Sequence, residues 1–265
     1  MNEPLRLVSV LTHQDDEPGE GAATLARYAA AGHEVMVVTC TDDGDGSEDR
    51  SDVAVVSEVL GVGHHRLGFL RSGRLDGGPV PPGRFASVPL AGPTQRLVGV
   101  LREFRPHVVV VHDDTTAPTP DRVRCLEAAL AAFDAAGDPS RFGAVGEPWQ
   151  PLKLYHVHEW CEKRMRALHE ALLAEDLSSP YDGWLKEPVG GAGRITTRVP
   201  CGEYFPMRDL VLRAHAGRLD PGCHQFAVPV RVRQVVWPTE DFELTRCHVA
   251  TSLPEDDLFA GISTQ

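Results

Sequence analysis

No Cys-x-x-Cys pair, no basic run and no long apolar stretch occurs in this sequence of 265 residues. Each absence closes a class. The six cysteines, Cys40, Cys125, Cys161, Cys201, Cys223 and Cys247, lack the spacing of a zinc ribbon or a redox motif and read as reduced thiols. Positive charge is also short: Lys and Arg number 26 against 38 Asp and Glu, a net −12, and such a surface repels phosphate backbones and anionic lipid. Neither a nucleic-acid partner nor a membrane is expected. The apolar stretch at 7–11 is far shorter than a signal-peptide core or a membrane span, so a cytoplasmic protein is expected. The 25 glycines and 21 prolines make about 17% of the chain, below the ~25–30% that marks low complexity. With 42% hydrophobic and 24% charged residues, the chain has the balance of a globular protein able to bury a core without disulfides.

What is present is an alternation of short apolar runs with helix-like segments. Strands are expected at 5–11, 34–39, 65–69, 108–111 and 153–158. Helices are expected at 21–31, 51–61 with Ser51 as cap, 93–104, 122–135 and 163–175, and a Gly/Pro/Arg loop at 71–89. Strand–helix alternation with β-branched runs implies an α/β, Rossmann-like, mostly parallel sheet with helices on both faces. The rhythm weakens after about residue 178. Residues 1–177 are therefore expected to form the core and residues 178–265 a C-terminal subdomain packed over the crevice.

In such sheets the ligand crevice lies outside the carboxyl ends of the strands. Directly after the first strand stands Thr12-His13-Gln14-Asp15-Asp16-Glu17. An imidazole and carboxylates there suit a hydrated divalent metal, with His13 and Asp16 as ligands and Asp15 as base. The same residues also suit a polar turn capping the next helix. After the fourth strand come His112-Asp113-Asp114, then Thr119-Pro120-Asp121-Arg122, an ordinary helix start. His156 and His158 share one strand face, as joint ligands or as part of a half-buried strand. His64 and His65 point to opposite faces, and the acidic stretch at 42–49 lacks the bidentate Glu of a calcium loop.

THQDDE at 12–17 followed by GAATLARYAAAGHEVMVVT at 21–39 resembles the first motif of the PIG-L (LmbE-like) zinc deacetylases. Within them the chain is most similar to the mycothiol S-conjugate amidases. GVGHHRLGFLRSG at 61–73, LREFRPHVVVV at 101–111 and GEPWQPLKLYHVH at 146–158 carry that likeness. So do TTRVPCGEYFPMRD at 196–209, LRAHAGRLDP at 212–221 and WPTEDFEL at 237–244. The resemblance implies hydrolysis of an amide next to an aminosugar, by zinc on two histidines and an aspartate, with an adjacent aspartate as base. Carried over residue by residue, His13 and Asp16 match two ligands and Asp15 the base, while Gln14 stands where the family has proline.

The other half of the pattern is altered. The family's His-Pro-Asp-His reads Thr119-Pro120-Asp121-Arg122, so the assisting histidine is Thr119 and the third ligand is Arg122. The family's tyrosine is matched by Ala117, the segment around 42–53 is shortened, and His-x-Thr-Gln reads His215-Ala216-Gly217-Arg218. A guanidinium has no lone pair to give a metal and stays charged. Three outcomes are open. Zinc is kept by His13 and Asp16 with a substitute such as His112, Asp113 or His156. Alternatively no cofactor binds, and Asp15, His13 and Arg122 perform other chemistry on a small-molecule substrate met by Thr119, Asp113, His156, His215 and Arg218. In the third, the protein only binds. The oligomeric state is not legible.

Overall fold

The computed structural model describes residues 3–13, 16, 19, 21–42, 56–73, 78–112, 119–158, 161–186, 194–214 and 227–263. Among the described residues seven strands form one sheet: β1 (Arg6–Leu11), β2 (Glu34–Asp42), β3 (Gly63–Leu70), β4 (Val108–His112), β5 (Lys153–His158), β6 (Thr197–Pro200) and β7 (Thr239–Cys247). Their order is β3-β2-β1-β4-β5-β7-β6. The first five run parallel, and β7 pairs antiparallel with both β5 and β6. The expected α/β, mostly parallel architecture is what the chain adopts.

Helices α1 (Ala22–Ala30), α2 (Ala91–Phe104), α3 (Pro120–Ala136), α4 (Glu162–Ala174), α5 (Phe205–Ala214) and α6 (Val230–Val236) surround the sheet. Alternate strand residues enter opposite cores. Leu7 and Leu11 pack with Leu25 and Tyr28 of α1 and with Val56 and Leu60. Val8 and Val10 pack with Leu97 and Leu101 of α2 and Ala129 and Phe133 of α3. A smaller cluster joins Met165, Leu168 and Leu172 of α4 to Val228 and Val232. The C-terminal third thus adds two strands to the common sheet as well as helices beside it.

Several boundaries move, for local reasons. β2 continues past Thr39 to Asp42, through a register shift against β3 between Thr39 and Thr41. β4 includes His112, which pairs with Val157 and so ends the ladder instead of opening a loop. α3 begins at Pro120, two residues before the expected start, because Thr119 caps it and proline fits the first helical position. Residues 56–60 are helical where a helix was expected at 51–61, and Ser51 lies outside the described residues. The expected loop at 71–89 contains a short 3-10 turn, Phe85–Ser87. β3 is longer than expected, at Gly63–Leu70. β5 has the expected bounds.

β1 leads to β2 on one side, while β4 lies on its other side. The strand order therefore reverses between β1 and β4, and the crevice of an open parallel sheet lies at that switch point.

Candidate functional site

The loop leaving β1 folds back on itself: Asp16 N–H donates to His13 O at 3.1 Å, and Gly19 N–H to Asp16 O at 3.1 Å. The turn aims the Asp16 side chain at its own strand end, where Oδ2 accepts His13 N–H at 2.9 Å. Its other oxygen accepts Arg122 Nη2 at 2.9 Å, across from the first turn of α3. Burial pushes the Asp16 carboxyl up, but Arg122, then His112 and His13, and the His13 N–H outweigh it, so the group lies below the ordinary carboxylate range.

Arg122 is delivered by the start of α3. The Thr119 oxygen accepts Arg122 N–H at 3.2 Å, which caps the helix. One residue before Arg122, Asp121 turns inward, 3% exposed. It accepts Ser72 N–H at 2.9 Å on Oδ2 and the Ser72 hydroxyl on Oδ1. Asp121 Oδ2 lies 3.8 Å from His13 Nε2. His13 Nδ1 meets the Thr41 hydroxyl at the end of β2, and that hydroxyl donates to Thr12 O at 2.9 Å. Below these groups Cys40 and Cys125 face one another, Sγ to Sγ 3.6 Å. Their contact and their burial push the Cys40 thiol well up.

His13, Asp16 and Arg122, singled out from the sequence, are thus brought together. His112 is near enough for its charge to act on Asp16, and its Cε1 is 3.9 Å from where a side chain on Gly19 would begin. Thr119 serves as a helix cap. His156 sits on β5 opposite Val111 of β4, and His158 instead meets Glu243 of β7 at 3.3 Å. Asp15, Asp113, Ala117, His215 and Arg218 lie outside the described residues. Among the described residues no three His, Cys, Asp or Glu side chains are grouped to hold a metal ion, and no helix is long and apolar enough to cross a membrane.

Thr41, Ser72 and the inward-facing Asp121 were not anticipated as site residues. For Thr41 a signal existed, since it stands at the carboxyl end of a strand. Reading β2 as ending at Thr39 hid it.

Comparison with known proteins shows the family and the fold. Residues 8–133 match the model of the PIG-L family, GlcNAc-PI de-N-acetylase. The chain is 40% identical over 289 aligned positions to mycothiol S-conjugate amidase of Streptomyces coelicolor, covering 99% of both chains. It is 34% identical to 1D-myo-inositol 2-acetamido-2-deoxy-alpha-D-glucopyranoside deacetylase of Kineococcus radiotolerans, covering 99% of this chain and 84% of that one. In fold it is similar to GalB, the 4-carboxy-2-hydroxymuconate hydratase of Pseudomonas putida KT2440, with a TM-score of 0.64 at 13% identity, over 94% of this chain and 99% of that one. With near-complete coverage at 40% identity, the chain belongs to the PIG-L family, among the LmbE-like deacetylases and amidases.

Proposed function

We propose that this chain is a diverged relative of the mycothiol S-conjugate amidases in which the Arg122 guanidinium stands in for a metal ion. On this reading it performs metal-independent acid–base chemistry on a small thiol–sugar conjugate, in the cytoplasm, as a step of a biosynthetic route. The ancestry supports a small-molecule substrate with an amide or sugar moiety. A related fold serves a hydratase in Pseudomonas putida, so the scaffold is not tied to amide hydrolysis.

The observation that carries the reading is the 2.9 Å contact between Arg122 Nη2 and Asp16 Oδ1. Zinc needs ligands with lone pairs, usually three from the protein in a hydrolytic site. Arg122 has none to offer, and its permanent charge repels a cation. Both Asp16 oxygens already accept hydrogen bonds, one from Arg122 and one from the His13 backbone. This donor set does not fit zinc. His13 and Asp15 move protons, and Arg122 holds an anionic or carbonyl oxygen of the substrate. Thr119, Asp113, His156, His215 and Arg218 border the bound molecule.

His112 favours a second reading, because its charge reaches Asp16 and it could serve as a substitute ligand in a zinc amidohydrolase. Elemental analysis separates the two. Wild-type protein and Arg122→His are each measured as purified and after zinc incubation and desalting. The wild type is expected to retain far less than one zinc per chain, and Arg122→His about one. A wild type retaining about one zinc would overturn the proposal and direct the search for a third ligand to His112, Asp113 or His156.

A further inference from the structure

We propose that the groove between β3 and α2 is a second binding site, one that takes a small molecule with a carboxylate head and an apolar body. β3 is the outermost strand on its side of the sheet, and β2 separates it from β1. The groove is therefore a different place from the crevice between β1 and β4. It holds a cavity of about 480 Å³, within the range of roughly 300–1,000 Å³ that suits small molecules. Leu67 of β3 and Val100 of α2, both buried, give it an apolar lining. The exposed side chains of His65, Gln95, Arg96 and Glu103 give it a polar one. Residues three, four and seven apart share one face of a helix, and Gly92, Gln95, Arg96, Gly99 and Glu103 follow that spacing along α2.

The two glycines shape the groove. Glycine is a poor helix former, yet α2 has two on this face. A Cβ on Gly99 would stand 3.1 Å from Val145 Cγ1, so glycine there lets Val145 close in. A Cβ on Gly92 would meet nothing within 4 Å, which leaves the groove open. Arg96 is the anchor. Its guanidinium carbon lies 4.2 Å from the centroid of the Phe69 ring, and that ring packs on the buried Phe85 with centroids 5.3 Å apart. One of its N–H groups donates to Leu67 O. A guanidinium has five N–H groups in a planar fork, so Arg96 is pinned by one contact and keeps donors for a planar acceptor such as a carboxylate. Glu103 stands seven residues further on, about 10 Å along the helix axis, and opposes a second negative charge there. The groove thus takes a monocarboxylate and rejects a dicarboxylate of the same length.

Amide chemical shifts of 15N-labelled protein, followed during titration with hexanoate, 1-hexanol or adipate, test the site. Hexanoate is expected to shift the amides of residues 65–67 and 92–100 saturably. Hexanol and adipate are expected to bind at least about tenfold more weakly, tenfold being what one hydrogen bond to a charged group supplies. Arg96→Gln should weaken hexanoate by about the same factor and leave hexanol unchanged, and Gly92→Trp, which fills the cavity, should remove both. No saturable shift by about 20 mM hexanoate, a concentration that detects even millimolar affinity, overturns the proposal. So do equal affinities for hexanoate and hexanol, adipate binding as tightly as hexanoate, or a folded Arg96→Gln that binds hexanoate like the wild type. Shifts confined to the crevice overturn it too. If the groove amides shift on dilution without ligand, a second copy of the chain fills the groove and the proposal fails. If Arg96→Gln does not fold, the three ligands on the wild type decide alone. Zinc content, measured separately, tests the role of Arg122 and leaves this result standing.

Discussion

Arg122 and Asp16 meet across 106 positions of sequence, and their side chains are 24% and 11% exposed. A charge pair this far from bulk water resists screening better than a surface bridge. Removing one partner leaves the other desolvated. Arg122→Ala is therefore expected to lower unfolding stability in urea by about 1.5–3 kcal/mol, the range for a hydrogen bond to a charged group. Asp16→Asn alone is expected to cost a similar amount. The double variant should cost clearly less than the sum, and a strictly additive cycle would show that the pair is not coupled. Each residue was legible in the sequence because both stand at the mouth of a parallel sheet, where side chains converge whatever the chemistry. The sequence hid the partners that hold them. Ser72 lies in the loop that follows β3, and nothing about its residue type marks it as a partner of Asp121. Asp121 has the ordinary look of a helix-start acid, although its carboxylate is turned inward onto that serine.

Among the elements, α2 and α3 are joined by one buried side chain. Arg102 of α2, 2% exposed, donates to the carbonyls of Ala135 and Ala136 at the end of α3. It also reaches the carbonyls of Asp138, Arg141, Phe142 and Val145 in the loop that follows. Helix ends leave carbonyls unsatisfied and carry partial negative charge, and a planar fork with five N–H groups answers several of them together. Arg102→Ala is expected to cost roughly 3–5 kcal/mol, the loss typical of breaking a buried charged network. Arg102→Lys should recover only a minor part, because a single ammonium cannot span the same carbonyls. Thermal and urea unfolding check both, and full recovery by lysine would mean that charge alone matters. β1, β2 and β4 were legible because they are apolar runs. β7 was not, because it buries acids: Glu240 caps α1 through Thr24 N–H at 2.8 Å, and Asp241 accepts the Trp237 indole at 3.1 Å. Burial paired with such contacts defeats an alternation of apolar and polar residues as the sign of a strand.

For the whole molecule, the segment beyond β7 is fastened to the middle of the sheet by a buried acid. Glu255 accepts Lys153 Nζ of β5 at 2.5 Å and the Tyr155 hydroxyl at 2.6 Å, and Thr197 of β6 at 3.2 Å. Lys153 also donates to Ala260 O at 2.8 Å, and neither charged side chain is more than 1% exposed. Burial pushes the Glu255 carboxyl up, but Lys153, Thr251 and Tyr155 outweigh it and hold it below its ordinary range. In the unfolded chain it titrates near the usual glutamate value, about 4.3. Its folded-state value is the lower one, so its contribution to stability is fully present above about pH 4.3 and is lost as acid titrates the folded group. Unfolding free energies measured in urea from about pH 7 to about pH 3 should fall with acid in the wild type, and less steeply in Glu255→Gln. Lys153→Met alone strands a buried carboxylate and is expected to cost roughly 3–5 kcal/mol at neutral pH. Lys153→Met combined with Glu255→Gln removes both charges and should lie nearer the wild type than Lys153→Met does. If the pair of changes costs as much as their sum, the two charges do not depend on each other, and the C-terminal segment is held by its apolar residues, Leu258 and Phe259, instead.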